Sequence, residues 1–239
     1  MVIAQLDVIS GILTILTIII GTIVGLLIMS RYLKYKHISL IYWGSTVIIL
    51  VCFLYAAAVS FILALNTGKG LPIGTYVFLA TWSSPVMTIF LMASFTELVY
   101  KKRQKQLVLI VSIITILVEV YIIYYCIVDP TVLGEMMGII DITLKGFIRI
   151  YFILAIVYIL IIAILFTRES LKSDKPETRF KGKTIFIAFI FYVIGAVFDS
   201  ALATNIFTLL LTRSLFITCM ILFYIGFITP NWIKKRFEI

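Results

Sequence analysis

Seven long apolar stretches alternate with short polar connections along this chain, at residues 8–30, 38–65, 75–100, 106–128, 146–166, 184–203 and 206–228. A helix needs about 20 apolar residues, each rising 1.5 Å, to cross the hydrocarbon of a bilayer. Every stretch meets that length, so the pattern predicts an all-α fold: a polytopic membrane protein with a seven-transmembrane-helix bundle filling 1–239 as a single domain. The connections are mostly short, which makes sequential helices antiparallel and leaves no room for a soluble domain.

Basic residues orient the bundle. Sixteen of the twenty Lys and Arg fall in four polar segments, 31–37 (RYLKYKH), 101–105 (KKRQK), 168–183 (RESLKSDKPETRFKGK) and 231–239 (NWIKKRFEI), next to alternate crossings. The intervening connections hold only Lys69 and Lys145. By the positive-inside rule the N-terminus lies outside and the C-terminus in the cytoplasm. Composition agrees with a multi-pass protein of the cell membrane, since 63% of residues are hydrophobic and 13% charged. The net charge of +9 sits where anionic headgroups attract it, so the partner it implies is the lipid bilayer and not nucleic acid. The N-terminal MVIAQLDVIS lacks a basic leader, and the first apolar stretch exceeds a signal-peptide core, so it is expected to be retained. Cys52, Cys126 and Cys219 all fall within apolar stretches and read as small fillers. High Ile and Lys with little Ala points to an AT-rich prokaryotic genome.

Local signals refine the picture. Gly21 and Gly25 (GTIVG) give a small-xxx-small spacing suited to close helix packing inside the bundle or to a homodimer seam. Trp43 is expected as an interfacial anchor at the end of the second helix. Ser83, Ser84 and Pro85 predict a bend in the third. The connection 129–145 opens on Asp129-Pro130, a helix-start signature, and predicts a short, partly apolar helix over the outer mouth, either a connector or a lid. Glu97 is expected to pair with the cations that follow it.

Glu119, Arg149, Asp199 and Arg213 are ionisable residues within the stretches, away from the basic segments. A charge in the bilayer is costly, so each should face the interior with a partner. At 1.5 Å per residue Glu119 lies roughly 20 Å from the cytoplasmic start of its helix, and Asp199, Arg149 and Arg213 come out near the same level. Two acids and two bases at one depth predict ion pairs or a single network in the outer half, with Tyr125 and its neighbours Tyr121, Tyr124 and Tyr151 adding polar tips. This set is the candidate site for a small-molecule ligand, charged or zwitterionic; a self-satisfied structural network is the alternative.

Absences narrow the chemistry. The one histidine, His37, falls in a basic connection, which argues against clustered-imidazole metal sites and bis-histidine haem. Neither a nucleophile–base pair nor matched aspartates stand out, so the expectation is that the chain is not an enzyme and carries no cofactor or metal. The last apolar stretch lacks the lysine a retinal Schiff base requires.

The exit of that stretch, FYIGFITPNWIKKRF at 223–237, resembles the end of the seven-helix membrane sensor module of prokaryotic histidine kinases and related signalling proteins. There too the last helix ends near a Gly, a Pro and a Trp before basic residues and a cytoplasmic output domain. The sequence closes at Ile239 without such a domain, so the resemblance implies output through a separate cytoplasmic signalling protein. The leading reading is a receptor or sensor-like membrane protein; the second is a small transporter or channel for an ion or small solute.

Overall fold

The structure, a computed structural model, describes residues 5–201 and 205–237. Leu202 and Ala203, which close the sixth predicted stretch, and Glu238 and Ile239 of the last basic segment lie outside the described residues. The chain runs through α1 (Gln5–Tyr35), α2 (Ser39–Cys52), α3 (Tyr55–Thr67), α4 (Ile73–Thr81), α5 (Ser83–Leu98) and α6 (Gln104–Val128). A hairpin of β1 (Gly134–Met136) and β2 (Ile142–Leu144) follows, then α7 (Gly146–Leu171), α8 (Pro176–Ala201), α9 (Ile206–Ile228) and α10 (Asn231–Phe237). Among the described residues six helical segments are long and apolar enough to cross a membrane, α4 and α5 counting as one, and the bent pair α2–α3 makes a seventh if it is one span. The protein is a multi-pass, almost wholly helical membrane protein.

Sequential packing closes the helices into a ring. α1 lies against α2 and α9, α2 against α5, α5 against α7, α7 against α8, and α8 against α9. α6 sits outside the ring on α4 and α5, and turns Leu109, Ile113, Leu117 and Val120 outward. Such a face suits contact with lipid tails. Inside, Trp43, Leu50, Met87, Leu91, Phe189, Phe216 and Phe223 form one continuous apolar core. Trp43 is therefore a core residue and not the interfacial anchor expected: it is 1% exposed, with Phe166 and Phe227 rings at 5.2 and 5.1 Å. A turn of α2 beyond Ser39 is already deep enough to be covered by α7 and α9.

The α1–α2 seam explains the glycines of GTIVG. A Cβ on Gly25 would stand 2.7 Å from the Gly44 carbonyl oxygen, and one on Gly44 would stand 2.6 Å from that of Gly25. The small-residue face is thus consumed within the chain, where two backbones touch.

Two breaks interrupt the helices. Proline-containing SSP ends α4 at Thr81 and restarts the helix at Ser83, and the Pro85 carbonyl accepts from the hydroxyls of Thr88 (2.6 Å) and Thr115 (3.1 Å). The second was not foreseen: 38–65 reads as one uninterrupted stretch, yet α2 and α3 meet at 47°. At the bend Leu54 N–H bonds to Val51 O, a tightened turn, and Cys52 Sγ donates back to Ile48 O at 3.3 Å, a side-chain bond to the backbone of the kind that bends helices.

The expected helix over the mouth is instead a β-hairpin. Asp129 does cap a turn, accepting from Thr131 N–H at 3.1 Å, but the turn ends at Val132 and Gly134 pairs with Leu144 across the strands. The hairpin satisfies its own backbone, and the Tyr76 and Ser60 hydroxyls hold its loop by the Ile140 and Ile139 carbonyls. At its base Lys145 pairs with Glu135, and this hydrogen bond and charge hold the Glu135 carboxyl below the ordinary glutamate range. Both partners are exposed, so the pair adds little to stability.

Gly44→Leu should destabilise the protein by about 3 kcal/mol through forced separation of α1 and α2. Gly138→Ala, with nothing within 4 Å of the new methyl, should change nothing; thermal unfolding in detergent measures both.

Candidate functional site

The hairpin end of the bundle, opposite the basic segments, holds an ion pair between two of the four predicted site charges, Asp199 and Arg213. α9 begins at a capping box, in which Asn205 Oδ1 accepts from Thr208 N–H and the Thr208 hydroxyl accepts from Asn205 N–H. This fixes the start of the helix and places Arg213 about 10 Å below it. Asp199 lies two residues before the described end of α8, so the arginine stem must climb to reach it, as long basic side chains do in membranes. Arg213 Nη1 donates to Asp199 Oδ1 at 2.8 Å, and Nε donates to the Thr14 hydroxyl of α1 at 3.2 Å. The guanidinium carbon stands 5.9 Å from the Phe216 ring centroid. One buried cation therefore joins α1, α8 and α9.

The two partners differ in access. The Arg213 side chain is 8% exposed and that of Asp199 30%. The carboxylate thus lies at the boundary of the site, and the guanidinium at its floor. Tyr76 of α4 is buried within electrostatic range of Asp141, Asp199 and Arg213 and donates through its hydroxyl to Ile140 O at 2.6 Å.

That bond ties the site to its cover. The hairpin loop, 137–141, is held from below by Tyr76 and by Ser60, whose hydroxyl donates to Ile139 O and accepts from Leu71 N–H. Ile140 is buried against Ala57 and Phe61, with Ile139, Val8 and Ile15 around them. A Cβ on Gly70 would stand 2.8 Å from the Ile139 carbonyl oxygen, so only glycine admits the loop there. The loop is seated among α1, α3 and α4, at the mouth beside Asp199 and Arg213.

The other predicted residues lie elsewhere. Arg149, in the first turn of α7, is exposed and forms no ion pair among the described residues, so it does not join Arg213. Its helix turns Ile148 inward and Arg149 outward, a matter of 100° of helix phase that depth alone does not reveal. Glu119 is partly buried on α6, with Oε1 unpartnered among the described residues, near Tyr151 and Cys126. One turn before it, the Thr115 hydroxyl lies 3.2 Å from that of Thr88, and the Tyr158 hydroxyl donates to Thr88 O at 3.0 Å. This is a second polar cluster, on α5, α6 and α7. Tyr125 packs on Tyr121 (4.7 Å between centroids) and Tyr124 (5.1 Å) beside Val77, Ile122 and Ile148, as part of an aromatic core. The four charges at one level are therefore one pair, one exposed cation and one separate acid. Glu97, as expected, pairs with Lys101 at 2.6 Å, one turn on.

Thr14, Ser60 and Tyr76 entered the site unforeseen. A hydroxyl within an apolar stretch is common, and its partner is set by which helices meet; Tyr76 carried only the signal of standing at a helix start.

No protein-family model and no curated protein matches this chain. Its chemistry rests on the site alone: a buried guanidinium with five donors, two of them committed to Asp199 and Thr14, beside a carboxylate of greater access.

Asp199→Ala leaves Arg213 buried without its counter-charge and should cost about 2 kcal/mol, less than a fully buried pair because the carboxylate is partly exposed. Asp199→Ala with Arg213→Met should recover most of that loss in thermal unfolding; a double variant no more stable than the single one would show that the pair is not coupled.

Proposed function

We propose that this chain is a seven-span receptor or sensor-like protein of the cell membrane, non-enzymatic, with its N-terminus and hairpin outside and its basic end in the cytoplasm. A small ligand bearing an anionic group, alone or in a zwitterion, is recognised by Arg213 and Asp199 beneath the hairpin loop. The observation that carries this reading is the Asp199–Arg213–Thr14 junction: it joins three helices and sits under a cover fastened by two side-chain hydrogen bonds, so a ligand competing for Arg213 alters how α1, α8 and α9 pack.

The route to the basic end is mechanical. Below Arg213 the interior is filled by two ring pairs that each bridge α8 and α9, Tyr192–Phe216 (5.7 Å between centroids) and Phe189–Phe223 (5.0 Å), within one packed core, through which a shift of α9 against α8 is passed on. α9 then ends at Thr229, which has a left-handed φ of 44°, and α10 folds back so that Lys234 meets Glu177 of α8 at 3.0 Å. Glu177 also takes Lys181 at 2.9 Å. The exit that resembles the sensor modules of histidine kinases is thus fastened to the same helix pair that carries the ligand site, in keeping with output to a separate signalling protein.

Transport of an ion or small solute is the second reading, favoured by the unpartnered Glu119 oxygen and the broken α4–α5 helix beside it. Flux and stability together separate the two. In proteoliposomes, sensing predicts no substrate-dependent flux, and in detergent a screen of amino acids and small carboxylates should raise the unfolding temperature by several degrees for one class. Arg213→Met, provided it folds, should abolish that shift. Flux sensitive to Glu119→Gln would replace sensing with transport. Single cysteines introduced at Lys145 and at Lys172 in a background lacking Cys52, Cys126 and Cys219 should label from outside and inside the cell respectively, which tests the orientation.

A further inference from the structure

The polar cluster on α5, α6 and α7 lies apart from Arg213 and plays no part in that site. Glu119 stands nine residues before the end of α6, about 14 Å below it at 1.5 Å per residue, where an ionised carboxylate is costly. On a helix a long side chain leans toward the N-terminus, over the turn that precedes it. The Glu119 carboxylate therefore leans toward Thr115, which stands four residues earlier on the same face of α6 and is buried. Its Oε1 is enclosed and accepts from no donor among the described residues.

The hydroxyls one turn below are short of protons. Thr88 and Thr115 both donate to the Pro85 carbonyl, at 2.6 and 3.1 Å, and their oxygens face one another at 3.2 Å. A hydroxyl has one proton and two lone pairs, so with both protons spent on one carbonyl the two oxygens present lone pairs to each other. The Tyr158 proton is spent as well, on Thr88 O at 3.0 Å. Tyr151 interacts with the Thr88 hydroxyl within electrostatic range of Glu119 and adds a further oxygen. Three helices thus gather oxygens that call for positive charge. No basic side chain supplies it, since the ion pairs among the described residues go to Glu97, Glu135, Glu169, Glu177 and Asp199.

Charge and spacing select the occupant. One carboxylate among neutral hydroxyls is balanced by a single positive charge. Divalent ions draw on several carboxylates or keep much of their water, and no three His, Cys, Asp or Glu side chains converge among the described residues. Cys126 lies near Glu119, but a single thiol does not make a soft-metal site. The scarcity of imidazole that argues against zinc and haem does not bear on an alkali ion, whose ligands are oxygens. Oxygens at right angles around an ion of calcium's size, bound at about 2.3–2.6 Å, stand about 3.3–3.7 Å apart. The Thr88–Thr115 separation of 3.2 Å is close to the lower end of that range. Sodium is near calcium in size, whereas potassium is larger and needs its ligands further apart.

We propose that Glu119, Thr88, Thr115 and Tyr151 form a sodium-binding site, in which the carboxylate supplies the charge and the hydroxyls supply lone pairs. The ion fastens α6, which packs outside the ring on α4 and α5, to the helix that Pro85 interrupts and to α7. It neutralises Glu119 as Asp199 neutralises Arg213, with groups drawn from different helices. The proposal needs neither sensing nor transport to hold: binding is read at equilibrium, without flux and without a ligand at Arg213, so it and either reading can fail separately.

The test is thermal unfolding of the full chain in detergent, in sodium chloride against choline chloride at equal ionic strength. Sodium should raise the unfolding temperature by several degrees, and potassium should need at least tenfold higher concentration for the same shift. Glu119→Gln should lose the shift. Thr115→Val, which keeps the branched shape and removes the hydroxyl, should need at least fivefold more sodium. Gly138→Ala, in the hairpin loop, should respond as the parent does. Should Glu119→Gln or Thr115→Val fail to fold, the parent decides the question through dicyclohexylcarbodiimide, which modifies protonated carboxyls in apolar surroundings. Sodium should slow modification of Glu119, located by peptide mass, at least fivefold relative to choline. A shift no larger in sodium than in choline, equal potency of potassium, or a shift that survives in Glu119→Gln would overturn the proposal. So would modification of Glu119 at a rate indifferent to sodium, which would make it a proton site alone.

Discussion

Hydrocarbon supplies no hydrogen bonds, and most of what this molecule does with its polar atoms follows from that. The breaks within α4–α5 and α2–α3 each have a side chain nearby that bonds to the backbone: Thr88 and Thr115 at the Pro85 carbonyl, Cys52 at the α2–α3 bend. The same demand governs Arg213. A guanidinium inside the bundle is tolerable only with a carboxylate and a hydroxyl from different helices, and satisfying it determines how α1, α8 and α9 meet. A residue that costs this much to bury constrains three helices at once, which is why a ligand competing for it would have structural consequences.

Close packing works alongside this constraint. Lipid tails are as apolar as the core, so burial by itself gives helices little reason to associate; contact area and backbone proximity must do so. Gly25 and Gly44 bring α1 and α2 to backbone contact, and Gly70 lets the hairpin loop settle on α3. Aromatic rings, Tyr192 on Phe216 and Phe189 on Phe223, itself on Phe227, then fill the core. The two ends differ in kind. The hairpin end is covered and centred on one charge pair, whereas the basic end carries surface ion pairs, Glu169–Lys172 and Glu177 with Lys181 and Lys234.

Glu119, whose Oε1 has no partner among the described residues, stands apart from both. It lies on α6, the helix outside the ring, close to Tyr151 and the Thr88–Thr115 hydroxyls. Its placement gives the transport reading its content, because an acid that no neighbouring base neutralises is the kind of group that a moving cation or proton engages.

The membrane-spanning helices and the segregation of basic residues were legible in the sequence, because hydropathy and charge act locally and need no knowledge of neighbours. Asp199–Arg213 and Glu97–Lys101 were legible for a related reason: one pair lies on two helices consecutive in the sequence, the other a single turn apart. What depth along a helix could not supply was phase. Arg149 shares a level with Arg213 but faces outward, Trp43 is enclosed by helices distant in sequence, and Tyr125 belongs to an aromatic cluster. The hairpin at 129–145 and the α2–α3 bend were likewise decided by tertiary contacts, since hydroxyls on α3 and α4 seat the loop and packing overrides an uninterrupted apolar run. Sequence determined which segments enter the bilayer, because that is a transfer free energy summed over neighbours. Only the tertiary structure decided which polar atoms meet within it, because that depends on how helices far apart in the chain rotate against one another.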